Sequence, residues 1–197
     1  MRLMKSPGRL LAGVLTGALA ASAVALSAAV WGTASAKPQG LQETASVVVA
    51  STVQRGLLRE FLTVKDAGYF YTAYTPEAVA AVKKYHFHAT GATFGYVDAS
   101  KVEGTIALYR LHVVGRQAYI VTSDVSEKNK LLASHKFTLD GILGYIDAKP
   151  AKGTFAIWRL GKGPQPYWRL ATTAQEKALV KKGWHLDGLV GFAFAKG

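Results

Sequence analysis

The chain has 197 residues, no cysteine and a formal charge of +12. Without cysteine there is no disulfide, no thiolate nucleophile and no Cys-ligated metal or iron–sulfur cluster. The length suits one domain or two small ones. The basic excess favours encounter with polyanions such as anionic envelope polymers, phospholipid headgroups or nucleic acid, while also serving plain solubility.

The first 36 residues read as a secretory leader. Met1–Arg9 carries Arg2, Lys5 and Arg9, and Leu10–Gly32 is uncharged and rich in Ala, Leu and Val. Ala34-Ser35-Ala36 is a small-x-small cleavage site before Lys37. The uncharged run is long enough to span a bilayer, so a retained anchor competes with cleavage. The cleavage site and the small residues throughout the run favour removal, and no cysteine follows for a lipid anchor. The mature chain then keeps 21 basic and 12 acidic residues, or +9. Export to the medium or the cell envelope is the expected location. Residues 37–56 follow as a flexible approach segment or an extra strand, since Ser46–Val53 is rich in β-branched residues.

From Leu57 onward the sequence resembles itself. Tyr109-Arg110-Leu111 returns as Trp158-Arg159-Leu160, and Thr72 and Glu77 return as Thr122 and Glu127. Leu139-Asp140-Gly141 returns as Leu186-Asp187-Gly188. Gly95-Tyr96 returns as Gly144-Tyr145 and Gly191-Phe192. These landmarks share a period of about 50 residues and define three diverged units, 57–104, 105–153 and 154–197.

Each unit begins with an alternating strand. In Ala107–Val113, Tyr109 and Leu111 face one way, and Arg110 and His112 the other. A second strand follows at Tyr69–Thr72, Ala118–Thr122 or Tyr167–Leu170, then a short helix. Thr75-Pro76, Asp124 and Thr173 are the expected helix starts, the last two with glutamate three residues on. The pairs Ala81-Val82, Leu131-Leu132 and Leu179-Val180 supply a narrow buried stripe, and lysines gather at the helix ends. A third strand alternates with Phe87/Ala89, Phe137/Leu139 and Trp184/Leu186 inward, and Gly-Tyr or Gly-Phe opens a fourth.

The expectation is therefore a strand-rich α+β fold of three ββαββ-type repeats. Such a unit cannot cover its own apolar face, so copies must pack on each other. Closure with pseudo-threefold symmetry, trefoil-like or small propeller-like, satisfies that, with an open stack as the alternative.

The order Tyr-Arg-Leu, aromatic-aromatic-Thr, helix with Glu, Gly-Trp, acid-Gly and Gly-Tyr resembles a bacterial and fungal repeat family, domain of unknown function 5648. The resemblance covers Leu57–Gly197 and is best at Trp158-Arg159-Leu160 and Gly183–Phe192. Arg59-Glu60-Phe61 stands where Tyr-Arg-Leu is expected, and the His that precedes Phe-Tyr-Thr in the family is absent. The family often occurs beside secreted hydrolases, which implies an accessory or binding role.

No motif specifies a reaction: there is no Gly-x-Ser-x-Gly, His-Glu-x-x-His, P-loop or dinucleotide fingerprint. Neither a catalytic residue nor a cofactor is indicated. His86-x-His88 would put two imidazoles on one strand face, but no third ligand is suggested and no metal is expected. Asp140-Gly141 and Asp187-Gly188 read as turn chemistry. Arg110 and Arg159 could hold a carboxylate or phosphate, or tie their own units together through Glu127 or Glu176. Tyr71, Tyr119, Tyr167 and Trp168 on the second strands could stack on sugar rings, or simply fill the core. The candidate ligand-binding set is thus Tyr71, Tyr119, Tyr167, Trp168, Arg110 and Arg159. It implies a monomeric, non-catalytic exported binding module for envelope polysaccharide or another polyanion, with no specific nucleic acid. The alternative is a protein-interaction or inhibitor module accessory to a secreted hydrolase.

Overall fold

A computed structural model describes residues 53–163 and 167–197. The expected secretory leader, residues 1–36, and most of the expected approach segment lie outside the described residues. In chain order the elements are β1 (Arg55–Leu62), a 3-10 turn (Val64–Asp66), β2 (Tyr69–Thr72), α1 (Thr75–Lys83) and β3 (His88–Asp98). Then come β4 (Thr105–Val113), β5 (Tyr119–Thr122), α2 (Val125–Ala133), β6 (Phe137–Asp147), β7 (Thr154–Gly161), β8 (Trp168–Thr172), α3 (Thr173–Val180) and β9 (His185–Phe194). The alternating runs fold as antiparallel hairpins, β1 with β2, β4 with β5 and β7 with β8. Each helix carries the chain back along its hairpin. The long strand that follows then pairs with the hairpin's first strand.

The expected ββαββ repeats closed as a trefoil or propeller are overturned. The nine strands form a single open, mostly antiparallel sheet, in which β2, β5 and β8 are edges paired with one neighbour each. Two physical reasons account for the difference. The glycines expected to break the third strand from a fourth sit inside one continuous strand, β3, β6 or β9. The far ends of those strands also hydrogen-bond to one another, at Asp98–Tyr145, Tyr96–Phe194 and Asp147–Phe192. A propeller needs separate blades, and these pairings join everything into one sheet.

Glycine permits that junction. A Cβ on Gly144 (φ +147) would lie 2.4 Å from Val97 Cγ2 and 2.9 Å from the Asp98 carbonyl oxygen. One on Gly95 (φ +75) would lie 2.6 Å from the Phe194 carbonyl oxygen. No side chain fits, and the backbone conformation itself suits glycine. Above the junction lies the core: Leu58, Tyr71 and Phe94 pack with Leu108, Val121, Ile146, Ile157, Leu170 and Val190.

Local expectations moved by a residue or two. Tyr74 and Thr172, not Thr75 and Thr173, cap α1 and α3; Thr172 forms a full capping box with Gln175. Asp124 caps α2 by accepting from the Ser126 N–H. Leu139 and Leu186, expected inward, are about half exposed. Each lies beside a register shift where its strand meets its hairpin, which reorients alternate side chains. His86 has φ +57 and precedes β3, so it does not share a strand face with His88.

Candidate functional site

Three hairpin connections meet at one end of the sheet. The Thr63 hydroxyl on the first donates to the Gln117 carbonyl on the second at 2.8 Å. Gly68 abuts Ala118 so closely that a Cβ would come within 2.8 Å of its Cα. Tyr69, beside the first connection, packs against Tyr167 of the third at 5.2 Å between ring centroids. Between them opens a cleft of about 640 Å³. Its walls are Val64–Ala67, Gly115–Gln117 and Tyr167.

Tyr167 is the aromatic wall, and it is held from behind. Its ring stacks on Trp184 (5.5 Å, 29°), and Trp184 also packs against Tyr69. Burial, then the neighbouring Tyr69, push the Tyr167 hydroxyl well above the ordinary tyrosine range, so it stays neutral as a donor and acceptor. The rim is polar: Lys65, Asp66, Arg116 and Gln117 are all exposed. Lys65 and Asp66 have φ +60 and +52. Consecutive left-handed residues other than glycine are uncommon, and such strain collects where a loop must hold a side-chain arrangement.

Two further clefts, of about 380 and 520 Å³, hold the arginines. Arg110 Nε donates to Asp140, Nη1 to the Tyr71 carbonyl and to Glu77, and Nη2 to Glu77 at 2.6 Å. Arg159 makes the matching set to Asp187, the Val121 carbonyl and Glu127. Both side chains are buried, and four of the five N–H groups of each are taken by these partners. An incoming carboxylate or phosphate would have to displace a glutamate. The arginines reach across to the preceding helix: Arg110 takes Glu77 rather than Glu127, and Arg159 takes Glu127 rather than Glu176.

Where β1 would carry the corresponding arginine it carries Glu60, and the charges are exchanged. Glu60 is buried, accepting from Arg169 Nη2 at 2.8 Å, from the Tyr71 hydroxyl at 2.8 Å and from Thr90 at 2.9 Å. Tyr71 is therefore core. Burial, then the Glu60 charge, raise its hydroxyl well above the ordinary range, and it also accepts from the Leu170 N–H. Tyr119 is half-buried between Phe70 and His112, and Trp168 is half-buried against Phe137. Of the six candidate residues, the structure brings Tyr167 alone to the hairpin cleft. Among the described residues, no group of three or more His, Asp or Glu is placed to hold a metal ion.

The family model described as Domain of unknown function (DUF5648) matches residues 57–194. The chain belongs to this family. No curated protein and no solved structure matches it. The DUF5648 match spans all three hairpin connections, and so the whole lining of the cleft. Sequence reasoning missed Lys65, Asp66, Gly115, Arg116 and Gln117. Their one signal was position, since each sits in a short polar connection between two strands, where binding residues concentrate.

Proposed function

We propose that this protein is a non-catalytic binding module, exported to the medium or the envelope, that takes sugar units of a cell-envelope polymer in the hairpin cleft. The observation that carries the reading is the Tyr167 ring, braced by Trp184 and Tyr69 and flanked by Lys65, Asp66 and Gln117. A sugar ring has an apolar face that packs on an aromatic side chain and a rim of hydroxyls that needs donors and acceptors. A fixed aromatic wall with a polar rim supplies both. The finer reading is that the chain holds three diverged copies of one unit of about 50 residues.

The test is retention of the purified full chain on insoluble bacterial cell-wall material. Retention that is lost in Tyr167→Ala and weakened in Asp66→Asn, which keeps a side chain suited to the left-handed backbone, supports the reading. Asp66 is exposed, so its variant keeps the test independent of the packing around Tyr167. A folded chain that ignores the wall material but captures a defined secreted hydrolase would replace the reading with an accessory role beside that enzyme.

A further inference from the structure

The three helices all run back toward the hairpin connections, and their charges follow their dipoles. Acids occupy the N-terminal turns, as Glu77, Glu127 and Glu176 do. Lysines follow the C-terminal ends, where they complement the partial negative charge: Lys83 and Lys84, Lys136, Lys181 and Lys182. Because the helices share a direction, every one of these lysines arrives at the cleft end. The pairings Leu62–His88, Val113–Phe137 and Gly161–His185 fix the corners beside the hairpin connections. The connections add Lys65, Arg116 and Lys162, all exposed.

All five histidines of the chain fall at the same end. His86 and His88 follow α1, His135 follows α2 and His185 opens β9; all four are exposed. His112 lies at the end of β4, stacked on Tyr119 at 4.9 Å. Among the described residues the one acid on the connections themselves is Asp66. The next carboxylates inward are Asp140, two residues beyond Thr138, and Asp187, two beyond His185. Each is held by an arginine, Arg110 or Arg159. Glu60, inward of His88, is buried against Arg169. Nearest to His86 in the chain are Lys83, Lys84 and Tyr85, and Lys136 adjoins His135, so cations dominate the surroundings.

We propose that this end, where lysines and histidines gather, is a capture face for an anionic sugar polymer, and that its grip tightens in acid. The inference rests on the reading of the hairpin cleft as the sugar site and names the charge of its ligand. Histidine is the side chain that gains charge between about pH 8 and pH 5. Charges gathered on one face act together on a polyanion within a Debye length of about 8–10 Å. A neutral polymer would gain nothing from them.

Dextran sulfate tests this, because its sulfate esters keep their charge across the range. Binding of the full chain is measured at pH 8 and pH 5.5 at constant ionic strength, with unsulfated dextran and polydeoxythymidylate alongside. Affinity for dextran sulfate should rise at least about tenfold in acid. The variant H86N/H88N/H135N/H185N should match the parent at pH 8 and change by less than about twofold between the two pH values. Asparagine suits the left-handed backbone of His86 and His135, and an unchanged melting temperature certifies the fold. Equal affinity at both pH values, or an acid gain that survives in the variant, overturns the inference. So does tighter capture of polydeoxythymidylate than of dextran sulfate, which would make the face a nucleic-acid surface. If wall material is still retained at pH 8 while dextran sulfate shows no acid gain, the inference fails and the sugar-binding reading stands. If neither wall material nor dextran sulfate is retained at either pH, that reading fails and takes the inference with it.

Discussion

Arg110 and Arg159 direct their guanidinium groups inward and bind a helix, a strand and a backbone carbonyl at once: Asp140 and Asp187, expected in turns, lie within β6 and β9. Removing either leaves two carboxylates and a carbonyl without their donor. Glu77 and Asp140 are each about one-third exposed, so water recovers part of the loss. Arg110→Ala should still lower stability by roughly 2–4 kcal/mol, read from denaturant unfolding. Arg110→Lys should recover little, because an ammonium cannot span both carboxylates as a planar fork does. A lysine variant as stable as the parent would contradict this. The same pairs set an acid limit. Burial alone would raise the Glu77 and Glu127 carboxyls. Hydrogen bonds from Arg110 and Thr72, and from Arg159 and Thr122, outweigh it and hold both below the ordinary range. A carboxyl held low in the folded state contributes stability that is complete above the unfolded value, about 4.3, and is lost as pH falls through the folded one. Stability should therefore decline below about pH 4.3, and less steeply in Glu77→Gln/Glu127→Gln. An equally steep decline in that variant would place the acid limit elsewhere. The sequence made these arginines conspicuous by repetition. Their partners were not legible, because alternation puts Arg110 on a polar face without revealing that the preceding helix covers it.

At the scale of elements, the hairpins and helices were readable from alternation and caps, and the second strands fell within a residue or two of their expected places. The long strands were not. A glycine inside an apolar run normally signals a turn or a bulge. In β3 and β6 it marks the point where another strand's backbone crosses within contact. That meaning depends on a neighbour distant in sequence, so no local pattern carries it. Leu139 and Leu186 were misplaced for a related reason, since a register shift changes which face an alternating residue occupies. The consequence is specific. Gly144→Ala puts a methyl 2.4 Å from Val97 Cγ2 and 2.9 Å from the Asp98 carbonyl oxygen. It should cost several kcal/mol, on the order of an overpacked core site plus backbone strain. Gly153→Ala should cost clearly less. Its φ is +82, but nothing lies within 4 Å of the added carbon. Equal destabilisation of the two variants in thermal melts would mean that conformation, not crowding, decides the position.

For the whole molecule, the core is shared rather than divided. Leu58, Tyr71 and Phe94 come from one stretch of chain, Leu108, Val121 and Ile146 from the next, and Ile157, Leu170 and Val190 from the last. Polar ties cross the same divisions. Arg169 reaches Glu60 across 109 residues, and the Leu170 N–H donates to Tyr71 across 99. Deleting Thr154–Gly197 would expose the inner side of this core and strip Glu60 of its cation. An uncompensated buried carboxylate is among the costliest losses a fold can suffer. β9 would go too, and with it the pairings at Tyr96 and Asp147. The fragment 57–153 should therefore be unfolded or aggregated, while the intact 57–197 region should melt in one cooperative transition. Circular dichroism melts and gel filtration of the two decide it. A fragment that stays monomeric and melts cooperatively would mean that the first 97 residues of the region hold a core of their own, and Arg169 would then be an accessory to Glu60 rather than a condition of its burial.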